Sequence, residues 1–135
     1  MEVRRLVQRL HATSRMTEER DVTNEIQQRL SVPSFRAMLS ESSEDGGSNG
    51  WSTMLKALST KLSQASTKTS KHAFLVTLSR LVDEADSSGQ LFDGVTAYKL
   101  SSYVLEERLI PASPPAEAKL YWSILSSLTS KAAYF

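Results

Sequence analysis

Apolar residues recur along this chain at three- and four-residue steps, and no convincing run alternates at two. That period predicts helices throughout. Val3, Leu6, Val7 and Leu10 share one face of a first helix, with Arg4, Arg5, Gln8 and Arg9 mostly off it. Val22, Ile26 and Leu30 mark a second, with Thr17 placed to cap it and Glu18 and Glu19 in its first turn, where acids suit the helix dipole. Pro33 breaks the pattern, and a short piece over 34–39 follows with Phe35, Met38 and Leu39 inward. Residues 40–50, SESSEDGGSNG, hold small polar groups, three acids and three glycines, and predict an exposed, mobile loop. Trp51, Met54, Leu55, Leu58 and Leu62 give the cleanest stripe of the chain.

Beyond a polar stretch at 64–70, Phe74, Leu75, Leu78, Leu81, Val82 and Ala85 predict a fifth helix, and 86–90 a turn. A sixth is read over 91–109, with Leu91, Val95, Tyr98, Leu105 and Leu109 as its register. Ser113, Pro114 and Pro115 open a seventh, since proline is tolerated in a first turn. Its stripe of Leu120, Tyr121, Ile124, Leu125 and Leu128 is extended by Ala132, Tyr134 and Phe135 without a cap. The reading is an all-α fold: an irregular helical array that starts an α-solenoid of the HEAT type, or a small helical bundle. It divides into N-terminal helices over 1–39, the loop over 40–50, and a helical array over 51–135 that continues past the chain end. An exposed C-terminal helix of this kind is expected to pack on further repeats or to self-associate.

Composition narrows the function more than the fold. The chain has 135 residues, a formal net charge of +1 and no cysteine. The near-neutral balance argues against a nucleic-acid coating. The missing cysteines exclude thiolate metal sites and a cysteine nucleophile. No apolar run approaches the roughly 18–20 residues of a membrane span. The Arg-rich start, MEVRRLVQRLHATSR, fits either a first amphipathic helix or a mitochondrial presequence, and the acidic TEERD after it counts against a long one.

His11 and His72 each lack a neighbouring ligand of metal-site spacing. The glycines at 46, 47 and 50 lack the Lys-Ser/Thr of a phosphate loop, and no serine stands in a nucleophile setting. No catalytic, cofactor-binding or metal residue is therefore assigned. Ser42 and Ser43, beside Glu44 and Asp45, fit an acid-directed phosphorylation site or a solvating spacer.

The order of features from Arg15 to Tyr134 resembles the N-terminal segment of the ataxia-telangiectasia-mutated family of giant checkpoint kinases, including its yeast telomere-maintenance relatives. In RMTEERDVTNEIQQRL, Arg15 takes that family's basic place and Ile26 and Leu30 its apolar places. Glu18-Glu19 fall at its Glu-Arg place, with Arg20 one residue later. SNGWSTMLKALSTKL, with Trp51, resembles the family's aromatic helix entry, and LYWSILSSLTSKAAYF its aromatic-rich close. The resemblance implies a nuclear, non-catalytic scaffold segment of a serine/threonine kinase. It implies a role in DNA damage and telomere maintenance through protein partners, a DNA-damage adaptor complex among them. Arg15, Glu19, Arg20 and Trp51 are its candidate interaction residues. The other reading is a self-standing, cytoplasmic helical adaptor that binds a partner helix in an apolar groove. Neither involves a membrane, a cofactor or direct nucleic-acid contact.

Overall fold

The computed structural model describes residues 2–13, 15–41, 49–89, 92 and 94–129. These form an all-α protein of eight packed helices, with no strand among the described residues: α1 (Glu2–Ala12), α2 (Met16–Leu30), α3 (Pro33–Leu39), α4 (Gly50–Gln64), α5 (Lys68–Ser87), α6 (Gly94–Glu106), α7 (Leu109–Ala112) and α8 (Pro115–Thr129).

Local chemistry sets most of the helix ends. α2 begins at Met16, so Thr17 lies inside its first turn and is not the cap; Arg15 takes that place in an extended conformation without a side-chain hydrogen bond. Glu18 and Glu19 stand in the first turn as read from sequence. Pro33 occupies the first turn of α3, where its missing N–H costs nothing. Asn49 caps α4, its side-chain oxygen accepting from the Ser52 N–H at 3.1 Å. Gly50 is needed for a close approach: a Cβ there would stand 2.9 Å from the Leu39 Cα. Residues 42–48 of the sequence-predicted loop, with Ser42 and Ser43, lie outside the described residues. Thr67 caps α5 by accepting from the Ser70 N–H at 3.1 Å. The polar stretch at 64–70 is thus mostly helix end and helix start, with 65–67 as the link.

The helices stack in two layers. α1, α4 and α6 follow one another in the first, and α2, α5 and α8 in the second. α1 and α2 run antiparallel, joined across their faces by the Arg9–Glu25 ion pair of 2.8 Å. Lys61, in the last turn of α4, donates to the Thr13 carbonyl just past the end of α1, so these two helices run parallel. In the second layer Gln27 meets Thr77 at 3.0 Å, Ser31 meets Arg80 at 2.9 Å, and His72 meets Glu117 at 3.4 Å. α2 and α5 point the same way, because the residue numbers rise together in their two pairs. His72 and Glu117 both lie near the N-terminal ends of their helices, and α8 follows the same direction.

α5 is the centre of the molecule, packed on α2, α4 and α8. Its predicted stripe of Phe74, Leu75, Leu78, Leu81, Val82 and Ala85 is wholly buried, as is that of α4. One continuous core runs from Leu6 and Leu10 to Leu128, so helices on either side of the 40–50 segment share it. Polar contacts fix its rim. Arg36 donates to the Leu30 carbonyl at 2.8 Å, and Glu84 holds Arg80 at 2.9 Å. The Arg9 hydrogen bond, against some opposing desolvation and with Arg29 helping, keeps the Glu25 carboxyl below its ordinary range.

The last hairpin departs from the sequence reading. α6 buries Ala97, Leu100, Ser101 and Val104. Val95, Tyr98 and Leu105, read as its inner register, face solvent at 61%, 59% and 61% exposure. Leu91, also read there, lies outside the described residues. Ala97 and Ser101, four residues apart, lie on the buried face of α6, which packs on α4 and α8. The helix stops at Glu106, because Arg108 is left-handed at φ 51, and Leu109 starts the short α7. The C-terminal helix, expected to expose its stripe, also differs. Tyr121, Ile124, Leu125 and Leu128 of α8 are buried, and α8 packs on α5. Residues 130–135, with Ala132, Tyr134 and Phe135, lie outside the described residues.

Candidate functional site

Parallel packing of α2 on α5 produces one open feature. The Gln27 amide donates to the Thr77 hydroxyl at 3.0 Å, and Thr77 in turn donates to the Ala73 carbonyl at 2.8 Å. Towards the two N-termini from this bond, the helices leave a cleft of about 440 Å³. That size suits a few side chains or a small ligand. α2 supplies Thr17, Glu19, Arg20, Thr23 and Asn24; α5 supplies Thr69, His72, Ala73 and Val76.

The charged groups of this cleft are unequal. Glu19 is half-buried, and among the described residues its Oε2 is sealed from solvent without a hydrogen-bond donor. Arg20 is exposed at the rim. Adjacent residues of a helix do not face each other, so Arg20 is poorly placed to neutralise Glu19. His72 is turned to the third helix of the layer, its Nδ1 lying 3.4 Å from the Glu117 Oε1. Thr23 is committed inwards, donating to the backbone carbonyl of Glu19 at 2.8 Å. Ala73 and Val76 give the cleft an aliphatic side.

Of the four residues singled out from sequence, two meet here and two do not. Glu19 and Arg20 line the cleft. Arg15 is exposed just before α2 and outside the lining. Trp51 is a correction: its side chain is wholly buried, and its indole N–H donates to the Ser40 hydroxyl at 3.1 Å. It stitches α3 to α4 and offers no surface to a partner. Sequence reasoning missed Asn24, Thr69 and His72 as companions of Glu19. The signal lay in the polar stretch before Phe74, which reads as a link until α5 is seen to begin within it.

A second surface contrasts with this cleft. The large exposed apolar side chains among the described residues are Val32, Val95, Tyr98, Leu105 and Trp122. All but Val32 belong to α6 and α8, in the last part of the chain. Among the described residues no group of three or more His, Cys, Asp or Glu is placed to hold a metal ion. None of the described helices is long and apolar enough to cross a membrane.

No family model, curated protein or solved structure matches this chain.

Proposed function

We propose that this chain is a protein-binding helical scaffold segment, related to the N-terminal part of the ataxia-telangiectasia-mutated checkpoint kinases and acting in the nucleus in DNA-damage and telomere maintenance. One observation supports the reading above others. Glu19 and Arg20, from the segment that resembles the family's N-terminal motif, both line a cleft. Stacked helical hairpins that present a surface along one layer are the architecture of scaffolds that bind other proteins. Phosphoryl transfer would belong to another part of such a kinase, and this chain contributes recruitment.

The test is a double substitution, Arg15→Glu with Arg20→Glu, in the cells that make the protein. Both side chains are exposed, so circular dichroism and the melting temperature are expected to stay unchanged. Survival after double-strand breaks is expected to fall and telomeres to shorten. A folded variant with a normal damage response and normal telomeres overturns the proposal.

The adaptor reading keeps one observation of its own, the exposed apolar face of α6, with Trp122 of α8 also exposed. A partner's amphipathic helix would bind there through Val95, Tyr98 and Leu105. It makes the opposite forecast: Tyr98→Ser would abolish partner binding, and the arginine substitutions would leave it intact.

A further inference from the structure

We propose that the α2–α5 cleft takes up a single cationic side chain, an arginine or lysine of the partner protein, with Glu19 as its counter-ion. This rests on reading the cleft as the protein-binding site, and it names the chemistry of what binds.

A buried oxygen without a donor is costly, and the cost is larger for a charged group than for a neutral one. Among the described residues none supplies the missing donor to Glu19 Oε2. Arg20 is exposed at the rim, and His72 is turned to Glu117. Glutamate has three rotatable bonds, so a rotamer change brings both oxygens to the cleft when a donor arrives. A guest guanidinium or ammonium then forms a charge-assisted hydrogen bond that none of the described residues gives this oxygen.

The remaining lining fits the rest of such a side chain. Ala73 and Val76 offer an aliphatic wall for its methylene stem, as long cationic side chains prefer. Asn24 and Thr69 carry neutral oxygens that accept further N–H groups. A bare metal ion fits less well, because a lone carboxylate does not meet its need for several ligands. Arg20 at the rim disfavours a dense run of positive charge and favours a basic residue flanked by an acidic one.

The experiment uses the full chain, labelled with 15N, and the tripeptide acetyl-Gly-Arg-Gly-amide. The control peptide carries citrulline, which keeps the shape of arginine and removes its charge. The arginine peptide is expected to shift amide signals in the first two turns of α2 and from His72 to Val76, saturably, with affinity roughly tenfold above the citrulline peptide. Glu19→Gln is expected to erase that preference while melting no lower than the native chain, because Glu19 Oε2 makes no hydrogen bond to the described residues that the substitution could remove. Ala73→Leu, which enlarges a side chain of the aliphatic wall and leaves the Glu19 carboxylate in place, is expected to weaken binding of the arginine peptide. Equal binding of both peptides, shifts confined to other helices, or a preference that survives Glu19→Gln overturns the proposal. So does a Glu19→Gln chain that melts well below the native one, since that makes Glu19 a structural group. The readout is binding by the purified chain, so its failure is distinct from a failure of the damage-response reading.

Discussion

α5 and α6 are both amphipathic helices of one core, yet only one of them shows its inner face in its sequence. α5 has a single strong stripe, Phe74 to Ala85, and the fold buries all of it. α6 has two. One is bulky, with Val95, Tyr98 and Leu105; the other is smaller, with Ala97, Leu100, Ser101 and Val104. The fold buries the smaller one. Apolar area alone favours the opposite choice. It is this smaller face that meets α4 and α8, while the bulky one is left to solvent. Periodicity finds a helix and its candidate faces, while the neighbouring helices select the face that is buried.

This contrast can be broken by substitution. The largest effect is expected at the centre: Leu78→Ala, at a fully buried position of α5, should cost about 2–5 kcal/mol in urea unfolding. Leu100→Ala should cost somewhat less than Leu78→Ala but still about 2 kcal/mol or more, since Leu100 is 2% exposed on the inner face of α6.

A smaller effect is expected from Tyr121 of α8. Burial, with the nearby Tyr103 and Glu117 adding to it, pushes its phenol up to about 12 from an ordinary 10.0. The folded chain therefore holds the neutral phenol more tightly than the unfolded chain does. That stability is complete below pH 10 and is lost as pH rises from 10 towards 12. Tyr121→Phe keeps the ring in the core and should flatten this alkaline fall, read as melting temperature against pH. The smallest effect belongs to Leu105→Ala, within about 0.5 kcal/mol, because that side chain is already solvated. A cost at Leu105 equal to that at Leu100 would show that α6 is buried on its bulky face after all.

What was legible in the sequence divides along the same line. The all-α class and the stripes of α4 and α5 follow from local spacing and side-chain chemistry, and local rules suffice for them. Glu19 and Arg20 were legible as charges at the start of a helix, but their cleft was not. It depends on α2 docking in parallel on α5, and α3 and α4 lie between these two helices in the chain. No local pattern reports a contact of that range. Trp51 carried two readings, as part of the α4 stripe and as a contact residue by resemblance, and only the first agrees with its burial. An aromatic at a helix entry marks either a contact surface or a core anchor, and the Ser40 hydroxyl that receives its N–H identifies it as an anchor only in three dimensions.

The cleft exists only if α2 and α5 run parallel, with their N-termini gathered at one edge. The natural chain has no cysteine, so a single introduced thiol carries one spin label without ambiguity. His72→Cys places that label on the exposed side of α5, beside the cleft. Paramagnetic broadening of amide signals should then be strongest at Arg20, Thr23 and Asn24 of α2 and at Glu117 of α8, and should weaken towards Arg29 and Leu30. Stronger broadening at Arg29 and Leu30 than at Arg20 would place α2 antiparallel to α5, and the cleft, with the function proposed for it, would not exist.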